Sequence, residues 1–361
     1  MSITINLPNK ATPMLPTILN KLSTLSPDNH LSKIKITQGV HDSSVEEATS
    51  RLSMHGNHRL RVFDVSSPIS SSGLRHVMQL PSLEEFRLVV HSFQLPVPLP
   101  TIVFPSLRSL YVECSGVRDL SWLKLLAAIE NPVLAKITVT CPRLDVEWFM
   151  EAFELTTTGI TGRGMRECLQ QFTVNSPDDF NITPQIIAHS LSFKNLTRLE
   201  LFSECSDVCQ TSDVTDGDID LLTKVMVFLE VLSIGGDPCE IPSQITFKSL
   251  YIISSRCRQL TELKIHFNPA LFVTKVGSEL EPWDVALGLS DPKILSSDLC
   301  YVTDICVGKI PLPRDPNTSC IMASGLMKMF PCLQDVHYDN EDWSNVEILK
   351  DVLGCFAFGA G

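Results

Sequence analysis

The sequence predicts an α/β solenoid: a curved parallel sheet facing the concave side, with helices on the convex side. Three observations predict it. A short phrase, L-x-x-Φ-x-Φ with Φ apolar, recurs along the chain. Helix-like segments precede most of its copies. Within each copy polar and apolar residues alternate, as expected of a strand with one covered and one open face.

The phrase is clearest at Leu83 (LPSLEEFRL), Leu107 (FPSLRSLYV) and Leu134 (NPVLAKITV). It continues at Leu196 (KNLTRLEL), Leu229 (FLEVLSI), Leu260 (RQLTELKI) and Leu333 (FPCLQDVHY), with weaker copies from Leu31, Leu60, Leu169 and Val302. The expectation is one irregular solenoid over residues 1–361, with about eleven strand–helix units and strands near 31, 60, 83, 107, 134, 169, 196, 229, 260, 302 and 333. A three-position pattern in so apolar a chain would give about ten matches by chance. Weight therefore falls on the bounded spacing of 23 to 42 residues and on Pro81, Pro105, Pro132 and Pro331, each two positions before its Leu. A proline there is expected to stop the preceding helix.

The helical segments read as SSGLRHVMQL, DLSWLKLLAAIE, TPQIIAHSL, TDGDIDLLTKVMVF, SLYIISSRC and ASGLMKMF. Thr183–Pro184 and Thr215–Asp216 have the residue types of N-caps followed by a permitted first turn. A unit of this kind cannot bury its own apolar face and must stack on its neighbours. Two stretches depart from the period and read as insertions, around residues 150–166 and as a long loop over 268–298, where Pro269, Pro282 and Pro292 fall. Cys114 and Cys141 each lie seven positions after their unit's first Leu, a shared phase that predicts a packing position at the strand end.

Counting from the first Leu, positions +2, +4 and +6 should face the concave side. Large or bidentate side chains there are the candidate partner contacts: Arg87, Tyr111, Glu113, Arg198, Phe202, Lys264, His266 and His337. Thr173 and Val89 fall on the same predicted face.

Composition narrows the function. With 44% apolar residues the chain has enough apolar surface for a core. A net charge of −12 and no dense run of Lys and Arg argue against nucleic acid and against an anionic membrane surface. No apolar run approaches the length of a membrane span. Twelve scattered cysteines without a visible secretory signal suit reduced thiols and a cytoplasmic or nuclear setting. On that reading the sequons at Asn181, Asn195 and Asn317 are chance matches, Asn195 falling where a core strand is expected.

Units of the form Pro-x-Leu-x-x-Leu-x-Leu, irregularly spaced and separated by amphipathic helices, resemble the leucine-rich-repeat region of F-box/leucine-rich-repeat proteins, especially the fungal sets. FPSLRSL, FKNLTRLEL and CRQLTELKI carry the likeness, which spans roughly residues 15 to 350. The resemblance implies a leucine-rich-repeat-like solenoid that recruits a protein substrate, joined through an F-box to the adaptor of a cullin ubiquitin ligase. The F-box itself is not recognisable: Leu7–Pro8 runs into NKATPMLPTILNKL, and the first repeat phrase is complete by Ile36. A cullin-ligase adaptor is thus expected only through an F-box outside this chain.

Catalytic and cofactor motifs fail one by one. There is no phosphate-binding G-x-x-x-x-G-K-[ST] loop and no G-x-S-x-G elbow. TGRGMREC lacks a third glycine and reads as part of an insertion. With Gly217 at the sixth place of a calcium loop, Thr223 would stand where a bidentate Glu is required. Asp216, Asp218 and Asp220 read instead as first-turn acids that complement a helix dipole. Cys205 and Cys209 have no partners at zinc-finger spacing. The expectation is a non-catalytic protein-recognition module with no cofactor and no metal. The alternative is a hydrolase or transferase on an α/β scaffold.

Overall fold

In a computed structural model, the described residues are 2–6, 17, 21, 32–37, 59–66, 69–90, 104–114, 123, 133–141, 146–158, 163–176, 181–203, 213–235, 243–265, 267, 300–307, 325–326, 329–333 and 335–338. The chain divides into two compact units, Met1–Val174 and Asn175–Gly361. Each is a leucine-rich-repeat-like solenoid of parallel strands taken in chain order. The insertion expected over 268–298 and most of the helix expected over 119–130 lie outside the described residues.

In the first unit the strands are β1 (Ser2–Asn6), β2 (Lys33–Thr37), β3 (Val62–Val65), β4 (Glu85–Val90), β5 (Ser109–Cys114), β6 (Lys136–Thr140) and β7 (Gln171–Ser176), in which the unit ends. Adjacent strands from β1 to β6 pair in parallel. The second unit holds β8 (Arg198–Ser203), β9 (Val231–Ile234), β10 (Glu262–Ile265), β11 (Asp304–Val307) and β12 (Asp335–Tyr338), again parallel. From β2 onward every strand begins two residues after the first apolar residue of its phrase. β1 precedes the first of these phrases, and Ile3 and Ile5 alternate in it as a strand requires.

One carbonyl repeats the stacking from unit to unit. The residue after the first Leu accepts two amide hydrogens from the next repeat. Arg61 O takes the amides of Glu84 and Glu85 at 2.8 and 2.9 Å, and Glu84 O those of Arg108 and Ser109. Arg108 O and Ala135 O continue the series, and in the second unit Thr197 O and Glu230 O do the same. The apolar residues of the phrase point the other way, where Leu83, Leu107, Leu134, Leu196 and Leu260 are fully buried.

Pro81, Pro105 and Pro331 act one step later than the sequence suggested, while Pro132 lies outside the described residues. Pro81 follows Leu80, whose carbonyl accepts from Leu83 N, and Pro105 follows Phe104, whose carbonyl accepts from Leu107 N. Pro331 stands in the same place between Phe330 and Leu333. Each proline is the second residue of a four-residue turn that leads into a strand, a position its fixed φ suits. Ser106 Oγ also donates to Pro81 O at 2.6 Å, which joins successive turns.

Six helices are described: α1 (Ser71–Met78), α2 (Val146–Thr158), α3 (Arg163–Cys168), α4 (Pro184–Ser190), α5 (Asp216–Val225) and α6 (Phe247–Arg256). Thr183 caps α4 as expected, its hydroxyl accepting from Ile186 N with Pro184 in the first turn. Among its described residues the insertion around 150–166 is helical: α2 occupies its first half, and RGMREC of TGRGMREC forms α3. The alternation that carries strands says nothing of such a segment, but its own spacing does. Phe149 and Phe153 are four apart, share a helix face and stack at 5.7 Å.

The acids of α5 take three different roles. Asp218 alone serves its own helix start, accepting from Thr215 N and Thr215 Oγ1 at 2.8 and 2.7 Å. Asp216 reaches the next helix, accepting from Thr246 N and Thr246 Oγ1 and from the Ser249 hydroxyl. Asp220 receives Lys224 Nζ from the following turn and Arg256 NH1 of α6 at 2.6 Å.

Those two cations hold the Asp220 carboxyl below its ordinary value, the Lys224 hydrogen bond foremost and then that of Arg256. A carboxylate with a depressed folded-state pKa contributes stability above its unfolded value of about 3.9, and loses it as pH falls through the folded value. Asp220→Asn is therefore expected to be less stable than the parent near pH 7. The difference should vanish as pH falls below the usual carboxylate range, when urea unfolding of the two proteins is compared across pH. A difference independent of pH would refute the ion-pair account.

Candidate functional site

The polar face of β2 to β6 in the first unit carries a continuous row at position +4. The register sets Lys35 opposite Asp64 and Arg87 opposite Tyr111, with Tyr111 opposite Thr138. Lys35 Nζ lies 3.1 Å from Asp64. Arg87 is the centre of the row. Its guanidinium donates NH2 to Glu113 at 2.7 Å and NH1 to Asp64 at 3.4 Å, and lies over the Tyr111 ring 4.2 Å from the centroid. The Tyr111 hydroxyl donates onward to Thr140 Oγ1 at 3.1 Å.

The arrangement follows from residue type and strand spacing. Neighbouring strands about 4.8 Å apart bring a planar guanidinium within reach of an aromatic face on the next strand and a carboxylate on either side. Burial works against the charge on Arg87, but the Glu113 hydrogen bond and the fields of Tyr111, Glu113 and Asp64 outweigh it, and the pKa is raised. Arg87 is thus a fixed cation. One edge of the face carries a second pair, Arg61 Nε and NH2 bidentate to Glu84 at 3.0 and 2.7 Å. That pair is exposed and contributes little to stability.

Of the expected contact residues, Arg87, Tyr111 and Glu113 are therefore brought together. Arg198, Phe202 and Lys264 belong to the second unit. Arg198 NH1 bonds Glu200 on its own strand at 3.0 Å, and Lys264 Nζ lies 3.1 Å from Glu262 on its own strand. Phe202 is half-buried in β8. His266 lies outside the described residues, and His337 stands in β12 with its backbone opposite Cys306. The exposure expected of that face fails at several places. Thr173 and Val89 are buried, and so are Val231 and Ser233 of β9. In β9 the cause is side-chain length. Val231 stands between Arg198 and Glu262, and Ser233 between Glu200 and Lys264, so the methylene stems of long neighbours cover short residues.

Lys35 and Asp64 are functional candidates that the sequence reading missed. The signal was present, because position +4 of the weaker phrases at Leu31 and Leu60 gives these two residues. Among the described charged residues of the candidate set, each cation has a carboxylate partner within the protein. Asn195, which the sequence placed in a core strand, is instead exposed in the turn ahead of β8, because the strand begins only at Arg198, and Asn181 is exposed before α4. Among the described residues no three potential metal ligands cluster, and no helix is long and apolar enough to cross a membrane.

No family model matches the chain, and no curated protein matches it. Among solved structures, the chain is similar to the crystal structure of an internalin (inlF) from Listeria monocytogenes str. 4b F2365, with a TM-score of 0.43 and 15% sequence identity over 94% of this chain and 82% of that one.

Proposed function

We propose that this protein is a non-catalytic recognition module that holds a protein partner on the polar face of β2 to β6. The observation that carries the reading is the Arg87 cluster. A guanidinium stacked on Tyr111 and held by Glu113 and Asp64 is a preorganised surface of the residue types that dominate protein interfaces. Its side chains are ordered before a partner arrives, so little rotamer entropy is lost on contact. Because its charges are already paired, association should rest on aromatic contact and shape and should respond weakly to ionic strength.

The finer reading is a substrate receptor of the F-box type in the cytoplasm or nucleus, with the adaptor bound by a segment outside this chain. It is supported by the repeat phrase and its prolines. The test is affinity purification of the tagged full chain with mass spectrometry, for the parent, Arg87→Ala, Tyr111→Ala and Arg75→Ala. Arg75 is an exposed cation on α1 and controls for charge. The first two variants should lose the protein partners that Arg75→Ala retains, with unfolding midpoints recorded for all. Equal retention by folded Arg87→Ala and Tyr111→Ala would rule out the face. The same purification from cells in which the gene itself carries the tag, so that any segment outside this chain is retained, should also recover a cullin adaptor, and its absence there would remove the ligase reading alone.

A further inference from the structure

Cys114 ends β5 and Cys141 follows β6. The two strands pair in register from Ser109 opposite Lys136 to Glu113 opposite Thr140, so the next step sets Cys114 against Cys141. Both side chains point into the core, 2% and 1% exposed. Their thiols share a hydrogen bond, and neither is in a disulfide. Parallel strands about 4.8 Å apart fall within the Cα separations, about 4.4–6.8 Å, that a disulfide spans.

We infer that Cys114 and Cys141 form a reversible disulfide that clasps β5 to β6 when the protein meets a low-molecular-weight disulfide such as oxidised glutathione. The Cys141 thiolate attacks one sulfur of the oxidant and releases one glutathione thiolate, leaving a mixed disulfide. Cys114 then loses its proton to solvent and attacks the Cys141 sulfur, which releases the second glutathione. Two protein thiols are oxidised and one small disulfide is reduced to two thiols.

The chemistry of the pair differs from that of the other buried cysteines. The hydrogen bond from Cys114 brings the Cys141 thiol below its ordinary value against the opposing effect of burial. Burial instead pushes Cys257 up to about 12 and raises Cys300. Those two thiols donate to backbone carbonyls, Cys257 to Met226 O and Cys300 to Cys257 O, and remain protonated. Access to Cys141 requires local opening at the strand ends, where stability is lowest, so oxidation is slow. Glu113 and Thr140, which hold Arg87 and Tyr111, immediately precede the two cysteines. The clasp would therefore fix the strand spacing beneath that face, and it stands whether or not the face binds a protein.

The experiment incubates the reduced full chain with oxidised glutathione, in buffer and in urea below the unfolding transition. Remaining thiols are alkylated and the protein is digested without reduction for mass spectrometry. The expected product is a peptide pair joined through Cys114 and Cys141 that has lost two hydrogens. It should come with a rise in Tm of roughly 5 °C that reductant reverses. Cys114→Ser should stop the reaction at a glutathione adduct on Cys141. Alkylation of both cysteines in both conditions, or their pairing mainly with other cysteines, overturns the inference.

Discussion

Phe172→Ala is expected to cost the first unit about 3–5 kcal/mol, read as a fall in the urea midpoint. Phe172 is the first core residue of β7 and is fully buried. Its ring stacks on Phe153 at 5.0 Å and 14°, and on Phe149 at 6.5 Å and 15°. Both partners come from α2, one turn apart on one face. Removing the ring leaves a cavity walled by two aromatics that a rigid helix holds in place, so the site cannot collapse to recover contacts. Phe172→Leu keeps most of the volume and should cost about 1–2 kcal/mol. Losses below about 1 kcal/mol for the alanine variant would mean that α2 does not pack on β7 as described.

In the second unit, Asp216→Ala should remove about 2–3 kcal/mol, because one carboxylate satisfies three donors of another helix. It accepts from the Thr246 amide at 2.8 Å and the Thr246 hydroxyl at 2.7 Å, and from the hydroxyl of Ser249, which is fully buried. Thr246 in turn caps α6, its oxygen accepting from Lys248 N at 3.1 Å. Without Asp216 the buried hydroxyl and the Thr246 amide lose their acceptor, and the cap loses the group that orients it. Asp216→Asn keeps one good acceptor and should lose about half as much. Hydrogen exchange separates this from the dipole role the sequence suggested. If Asp216 served only its own helix, exchange at Thr246 would be unchanged in the alanine variant.

These two sites mark where sequence reading stops. Asp216 was legible as an N-terminal acid because that inference needs only its place before an amphipathic run. Its real acceptor role involves a residue thirty positions away, on a helix whose approach is set by stacking. The segment holding Phe149 and Phe153 was read as an insertion because it breaks the repeat period, although its four-residue spacing was a helical signal. Pro81, Pro105 and Pro331 were rightly singled out but given the wrong task, since a proline that ends a helix by its missing N–H and one that fills the second place of a turn look alike in sequence.

The polar face of β2 to β6 divides in the same way. Which residues lie on the row through Lys35, Asp64, Arg87 and Tyr111 follows from counting four positions from each phrase's first apolar residue, because side-chain alternation along a strand is local. The sequence by itself therefore determined the strand starts from β2 onward, the parallel order of the repeats and membership of this row. Only the tertiary structure decided that Arg87 bridges Glu113 and Asp64 across Tyr111, that long neighbours close the face over β9, and that Cys114 meets Cys141. Those outcomes depend on the strand spacing and on the lengths of side chains from different repeats, which no single phrase contains.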